Sequence, residues 1–326
     1  MVGYTESITD PSYWGQILVQ TYPLIGNYGV SSRDFQSDGP RITGYAVTQL
    51  CSEPSHHSSE RTLDSWLSES GIPGIQGLDT RALTKRLREK GTMLGILQVS
   101  DGEIDTERLR KEVGKTKDPS ERDLTGEVTC KSVKTYGEGK PSVALLDCGV
   151  KRSMIDALAS LGIRVITFPV DTPFDRIMEH DPHGLVISNG PGDPKRCCAV
   201  GAVRAALEHG LPSMGICLGS QLIGLASGAD TYKLRFGHRS QNQPCIERGT
   251  GRCYITAQNH GYAIDTKTLA RGWQEWFVNA NDGSSEGIRH SRKPFMTTQF
   301  HPEVSPGPDD TRFLFERFLK VIKNEA

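Results

Sequence analysis

The sequence predicts an α/β protein of two domains. The larger, C-terminal one has a mostly parallel sheet covered by helices and carries a cysteine on a sharp strand-to-helix turn. The smaller, N-terminal one is mixed α/β. Three observations lead there. A length of 326 residues suits two domains at roughly 100–200 residues each. Residues 126–141 lack apolar periodicity, are rich in Gly and Lys and end in Gly139-Lys140-Pro141, which marks them as a linker between domains at 1–125 and 142–326. Beyond the linker, short apolar runs alternate with amphipathic ones, as parallel strands and their crossover helices do.

The elements follow in order. Residues 1–125 are irregular, with a loop-like run Tyr22-Pro23-Leu24-Ile25-Gly26-Asn27-Tyr28-Gly29 and a polar stretch at 52–61 that includes His56-His57. A basic helix is expected at 80–90, where Leu83 and Leu87 stand four apart, and a charged region follows at 101–122. Ser142-Val-Ala-Leu-Leu-Asp147 reads as a buried strand, and 151–161 as a helix with Met154, Ile155, Leu158 and Leu161 on one stripe. Strands are then expected at 163–168, 184–188 and 213–216, alternating with helices at 174–179, 199–208 and 218–226. Residues 230–300 change to strand-like pieces, among them 252–256 and 295–300. A last amphipathic helix spans 309–322, with Leu314, Phe318 and Ile322 aligned.

Composition narrows the function. Lys and Arg number 38 against 39 Asp and Glu, so neither nucleic acid nor an acidic membrane is expected as a partner. Eight cysteines without a CxxC pair argue against a disulfide scaffold or a cysteine-rich zinc module. The first residues carry no basic and apolar signal segment, and the apolar runs are too short to cross a bilayer, so a cytoplasmic protein is expected.

Gly215-Ile216-Cys217-Leu218-Gly219-Ser220-Gln221 lies where a strand gives way to a helix. A nucleophile on such a turn stands exposed above the sheet, and glycines two positions either side avoid a collision. The helix N-terminus favours a thiolate, and the Leu218 N–H faces the place of an oxyanion. A cysteine nucleophile needs a base, and the base an orienting group. His301 ends the run Met296-Thr-Thr-Gln-Phe300 and precedes Pro302-Glu303. In extended chain His301 and Glu303 share a face, leaving one ring nitrogen for Cys217; the alternative is a turn histidine beside a surface glutamate. The loop Ser188-Asn189-Gly190-Pro191-Gly192-Asp193-Pro194 follows a strand and offers N–H groups to an anion, though alone it reads equally as a tight turn.

Together, Gly215-x-Cys217-x-Gly219-x-Gln221, the 189–194 loop and His301-Pro302-Glu303 resemble the class I (triad) glutamine amidotransferases over residues 142–326. The segments 231–239, 257–262 and 301–308 narrow the likeness to the small, glutamine-hydrolysing subunits of carbamoyl-phosphate synthases. So do Ile8-Thr-Asp-Pro-Ser-Tyr13, the run 21–29 and Gly77-Leu-Asp-Thr-Arg-Ala-Leu83 in the front domain.

The resemblance implies that Cys217 attacks the glutamine amide to form a γ-glutamyl thioester. His301 moves the proton and Glu303 orients His301. The Gly190 and Leu218 N–H groups form the oxyanion hole, and Ser12, Gly190, Gly192, Leu218, Gln221, Asn259, Gly261 and Tyr262 bind glutamine. Without the resemblance, 259–262 reads as a hairpin turn and Ser12 as a surface hydroxyl. The implied partner is a large synthetase subunit that uses ammonia, bicarbonate and ATP to make carbamoyl phosphate for pyrimidine and arginine synthesis. ATP and Mg2+ are expected on that subunit alone, since this chain has no P-loop, and no metal is expected here.

The chain departs from the family pattern at Ser240 (usually Gly), Cys148 (often aromatic) and Ser153 (often Asn). The resemblance also implies front strands ahead of the segment matching 1–5, and so a front domain truncated at its start with an unpaired sheet edge. The alternatives are a glutaminase serving another synthase, or a non-catalytic docking subunit.

Overall fold

The computed structural model describes residues 3–324; Met1 and Val2, on which the expectation about the start of the chain falls, lie outside the described residues. Contacts within the chain divide it into two units, Met1–Glu121 and Arg122–Ala326.

The N-terminal unit is made of short elements: α1 (Tyr4–Thr9), β1 (Ile17–Val19), β2 (Leu24–Ile25), β3 (Gly44–Ala46), β4 (Gln49–Leu50), α2 (Leu63–Glu69), β5 (Gly74–Ile75), α3 (Thr80–Lys90) and α4 (Thr106–Val113). Strands β1, β3 and β5 form a parallel sheet in that spatial order, and β2 pairs with β4. Tyr4, Ile8, Ile25, Tyr45, Leu63 and Trp66 are buried together as the core of this unit. Helix α3 begins where the Asp79 carboxylate accepts the Ala82 N–H (2.8 Å) and ends at Gly91, whose φ of 89° ordinary side chains resist. Helix α4 interrupts what reads from sequence as a plain charged region. It buries none of its residues, so no apolar stripe betrays it. An Asp105 cap to the Arg108 N–H (2.9 Å) and the Arg110–Glu107 pair hold it instead.

The C-terminal unit runs α5 (Thr125–Val128), β6 (Lys134–Tyr136), β7 (Ser142–Asp147), α6 (Arg152–Ser160), β8 (Arg164–Pro169), α7 (Phe174–Met178), β9 (Gly184–Ile187), α8 (Val200–His209), β10 (Ser213–Ile216) and α9 (Leu218–Ala226). It continues with β11 (Asp230–Glu247), β12 (Cys253–Asp265), β13 (Trp273–Asn279), β14 (Ser285–His290), β15 (Phe295–Thr298) and α10 (Phe313–Ile322). Among the described residues these strands form one sheet in the order β12-β11-β13-β14-β15-β10-β9-β7-β8-β6. Its centre, β15-β10-β9-β7-β8, is parallel, and its flanks are antiparallel.

Every residue of β7 is buried, because both faces of the sheet are covered. Val143 and Leu145 point to one face, where Met154 and Leu158 of α6 meet Leu314 and Phe318 of α10. Ala144 and Leu146 point to the other, against Val203 of α8 and Leu222 and Ile223 of α9. Each fully buried Leu on either face contributes on the order of 2 kcal/mol.

Two boundaries differ from the sequence expectation. The expected linker, 126–141, contributes β6 to the sheet, antiparallel to β8. All three β6 side chains are exposed, so the strand is held by its ladder and leaves no apolar period to read. The unit border falls before Arg122 rather than after residue 125. Leu124 is buried and Asp123 accepts the Cys198 N–H (3.1 Å), which ties this turn to the C-terminal unit.

Candidate active site

Cys217 sits between β10 and α9 with φ 55° and ψ −106°, a conformation that L residues rarely adopt. Such a strained strand-to-helix turn lifts the side chain off the sheet. The glycines on either side permit it. A Cβ on Gly215 would strike the Gly219 carbonyl, and one on Gly219 would strike the Ile187 carbonyl of β9. The Cys217 N–H is anchored on the Thr298 carbonyl (2.8 Å), and the sulfur lies 3.8 Å from the Asn259 carbonyl oxygen.

The loop after β9 comes up beside this turn. The Ser188 hydroxyl accepts the Cys148 N–H (2.9 Å) and donates to the Asn189 carbonyl (2.8 Å). It thereby ties the loops after β7 and β9 together. Gly190 lies so close to the Cys148 carbonyl that a Cβ would strike it. Neither the Gly190 nor the Leu218 N–H donates to a backbone carbonyl among the described residues. Gly190→Ala is expected to push this loop aside and lower the site's kcat by about 100-fold, the usual cost of displacing one N–H donor from a site where negative charge develops. Steady-state kinetics, with circular dichroism as a check of the fold, measure this.

His301 follows β15, with its N–H on the Ala257 carbonyl (3.0 Å). Its Nδ1 lies 2.6 Å from Glu303 Oε1, and Nε2 is buried without a hydrogen-bond partner among the described residues. Glu303 is also held by Lys151, whose Nζ donates to the same oxygen at 2.9 Å, with both side chains almost fully buried. Burial alone would depress the His301 imidazole. The Glu303 carboxylate and then the Cys217 sulfur outweigh it and lift His301 to about 10. Burial alone would raise Glu303, but the Lys151 ammonium and then His301 hold it well below the usual carboxylate range. The result is a buried row of charges, Lys151–Glu303–His301, ending at a thiol.

The remaining expected residues fall in two places. Gln221, Asn259, Gly261, Tyr262 and Gly192 lie in the C-terminal unit. Gln221 Nε2 donates to the Tyr262 carbonyl (2.9 Å) and to Gln299 Oε1 (3.0 Å). Residues 259–262 are not a hairpin turn: they lie within β12, with Asn259 opposite Arg239 and Tyr262 opposite Lys233 on β11. The Asn259 side-chain amide nitrogen is buried and has no partner among the described residues. Gly192 has φ 94°, a value suited to glycine. Ser12 belongs to the N-terminal unit, where it is buried in a turn and its N–H donates to Asp10 Oδ1 (2.8 Å).

Sequence reasoning missed Lys151 and Gln299. Lys151 follows the Asp147 turn, in which Oδ1 accepts the Gly149 and Val150 N–H groups (2.9 and 2.7 Å). A lysine opening an amphipathic helix carries no mark that it is buried. Gln299, buried in the run before His301, carries one signal, its polarity in an otherwise strand-like stretch.

Residues 144–321 match the family Glutamine amidotransferase class-I, and residues 1–97 match the carbamoyl-phosphate synthase small chain, CPSase domain. The fold and the Cys217 turn thus place the chain among the class I glutamine amidotransferases. The carbamoyl phosphate synthase small chain of Archaeoglobus fulgidus is 44% identical over 324 residues, spanning 99% of this chain and 90% of the relative. That of Methanopyrus kandleri is also 44% identical over 324 residues, spanning 98% and 90%. The multifunctional protein CAD of Squalus acanthias is 45% identical over 337 residues, spanning 99% of this chain and 15% of that one. The chain belongs to the carbamoyl-phosphate synthase small chain family.

Proposed function

We infer that this chain hydrolyses L-glutamine to glutamate and ammonia. The ammonia passes to a large synthetase subunit, which combines it with bicarbonate at the expense of ATP to make carbamoyl phosphate for pyrimidine and arginine synthesis. The observation that carries the reading is the strained Cys217 turn beside a buried His301–Glu303 pair.

An amide is a poor electrophile with a poor leaving group. Its hydrolysis needs a strong nucleophile, a proton for nitrogen and donors for the developing oxyanion. Cys217 Sγ attacks the side-chain carbonyl carbon of glutamine, and the carbonyl oxygen, now negative, turns towards the Gly190 and Leu218 N–H groups. Protonated His301 gives its proton to the amide nitrogen, the C–N bond breaks and ammonia leaves. Water then adds to the thioester and gives a proton to His301, and the C–S bond breaks to release glutamate. Glu303 keeps the imidazole in register and favours its charged form at rest, so that the ring takes back from water the proton it gave to nitrogen. Gln221 holds the Tyr262 backbone in place, and the Asn259 amide offers a donor for the substrate's polar end.

ATP and Mg2+ belong to the large subunit in this scheme. Among the described residues no helix is long and apolar enough to cross a membrane, in keeping with a site of action in the cytoplasm.

A glutamine-mimicking chloroketone tests the reading. It is expected to label Cys217 at one equivalent per chain, glutamine is expected to protect, and His301→Asn is expected to slow labelling by at least about 100-fold. Mass spectrometry of the digested chain locates the adduct; labelling elsewhere, or none in the folded complex, overturns the reading.

A further inference from the structure

On the same sheet, beyond the cysteine turn, a second cluster of ionisable side chains is buried. His238 on β11 and His260 on β12 stand directly opposite each other in the antiparallel ladder. Their rings are 4.8 Å apart and nearly perpendicular. Glu286 on β14 reaches between them, with Oε1 3.0 Å from His238 Nδ1 and 3.8 Å from His260 Nε2. All three residues are buried, and one ligand atom from each lies within 4.8 Å of the others. A tetrahedral zinc-like ion bonded at 2.0–2.1 Å sets its ligands about 3.3 Å apart; the two distances to Glu286 Oε1 bracket this, and the two histidine nitrogens, within 4.8 Å of each other, close on the ion as it binds.

The outer atoms are arranged as a metal site requires. A histidine that binds a metal spends its other ring nitrogen on a carboxylate or carbonyl, which fixes the tautomer and the ring. His238 Nε2 lies 2.8 Å from Asp282 Oδ2, and His260 Nδ1 lies 2.9 Å from the Tyr262 carbonyl.

The proton count at His260 then leaves a gap. With Nδ1 donating to the Tyr262 carbonyl, a neutral ring has a lone pair at Nε2. That nitrogen faces only oxygens, Gln258 Oε1 at 3.1 Å and Glu286 Oε1 at 3.8 Å. The Gln258 amide cannot easily be turned to supply a donor. Its nitrogen serves Thr256 Oγ1 (3.1 Å), whose own proton goes to the Gln243 carbonyl (2.9 Å), and Cys245 Sγ (3.2 Å), so turning the amide would set oxygen against oxygen and leave only the weak thiol donor of Cys245. Independently, Glu286 Oε2 is buried with no hydrogen-bond partner among the described residues. A cation at Glu286 Oε1 satisfies the His260 lone pair and neutralises the buried carboxylate that carries the orphaned oxygen.

We propose that His238, His260 and Glu286 bind a divalent transition cation of the zinc class, with Gln258 Oε1 as the nearest fourth donor. This departs from the sequence expectation of no metal. The ion's role is structural: it joins β11, β12 and β14 and fixes the segment of β12 that presents Asn259, Gly261 and Tyr262.

The test uses the full chain, freed of metal with a chelator and titrated with Co2+. The proposal expects one equivalent to bind with the intense visible bands of a tetrahedral Co2+ centre, and Zn2+ to displace it. His260→Gln and Glu286→Gln are expected to lose the bands. Asp282→Asn, which touches no ligand atom, is expected to weaken binding about 10–100-fold, and it keeps the test valid if a ligand variant fails to fold. Folded wild-type chain that takes up neither ion overturns the proposal, as does unchanged Co2+ binding in the folded variants. In either case the cluster is held by protons alone, with a charged His238 bridging Asp282 and Glu286. The readout is spectroscopic, so it stands or falls separately from glutamine hydrolysis.

Discussion

Cys217→Ser is expected to lower glutamine hydrolysis by about 10⁴-fold or more, while carbamoyl phosphate synthesis from supplied ammonia continues in the complex with the large subunit. The substitution keeps the turn, since serine occupies less space than cysteine. The loss is chemical. Glu303 keeps His301 protonated, and a ring raised to about 10 has little capacity to accept a second group's proton near neutrality. A thiol can still act beside such an imidazolium because a thiol is acid enough to lose its proton to solvent and pair as a thiolate with the charged ring; a serine hydroxyl is too weak an acid to do so. Glutaminase assays with and without partner, ATP and bicarbonate measure both activities. Retained hydrolysis in the serine variant excludes Cys217 as the nucleophile, and loss of ammonia-driven synthesis as well points to damaged docking.

Lys151→Met is expected to destabilise the chain by about 3 kcal/mol, because it removes one of the two cations that hold a buried carboxylate. The pH dependence identifies the cause. Glu303 lies below its unfolded value, so its contribution is present above the ordinary carboxylate range and is lost as pH falls towards the folded value. His301 lies above its unfolded value, so its contribution is present below about 6.5 and is lost as pH rises towards about 10. Removing the lysine raises Glu303 and leaves the imidazolium facing one positive charge fewer. Acid unfolding then begins at a higher pH than in wild type, and the alkaline limb does not move down. Urea midpoints from pH 3 to 10 record both limbs, and kcat/KM over the same range shows whether catalysis follows. An unchanged acid limb removes Lys151 from this role.

The Cys217 turn and the His301–Glu303 pair were legible in the sequence because their constraints are local. The Cys217 turn needs glycines two positions away, and His301 and Glu303 share a face through the period of extended chain. The central strands and helices were legible because both faces of the sheet are covered, which makes apolar runs nearly continuous. What stayed hidden is stabilised by means other than apolar burial. Strand β6 exposes every side chain, and helix α4 buries none. Lys151 and Glu303 are 152 residues apart in the chain, and nothing in the composition around either announces the other. The His238–His260–Glu286 group likewise needs three strands in register before its members meet. Asn259-His260-Gly261-Tyr262 has the composition of a turn, yet it continues a strand because the long β11 opposite supplies its ladder.

Cys217 and His301 follow neighbouring strands, β10 and β15, paired with Ile216 opposite Thr298. Those neighbours are far apart along the chain, with α9 and four further strands synthesised between them. Contacts of such long range form slowly and late, since the intervening loop must close before they return any free energy. A chain still emerging from the ribosome therefore holds its cysteine without its histidine. Hydrolysis begins only when the last strand has docked, so a half-made subunit does not consume glutamine or release ammonia that no synthetase is there to receive.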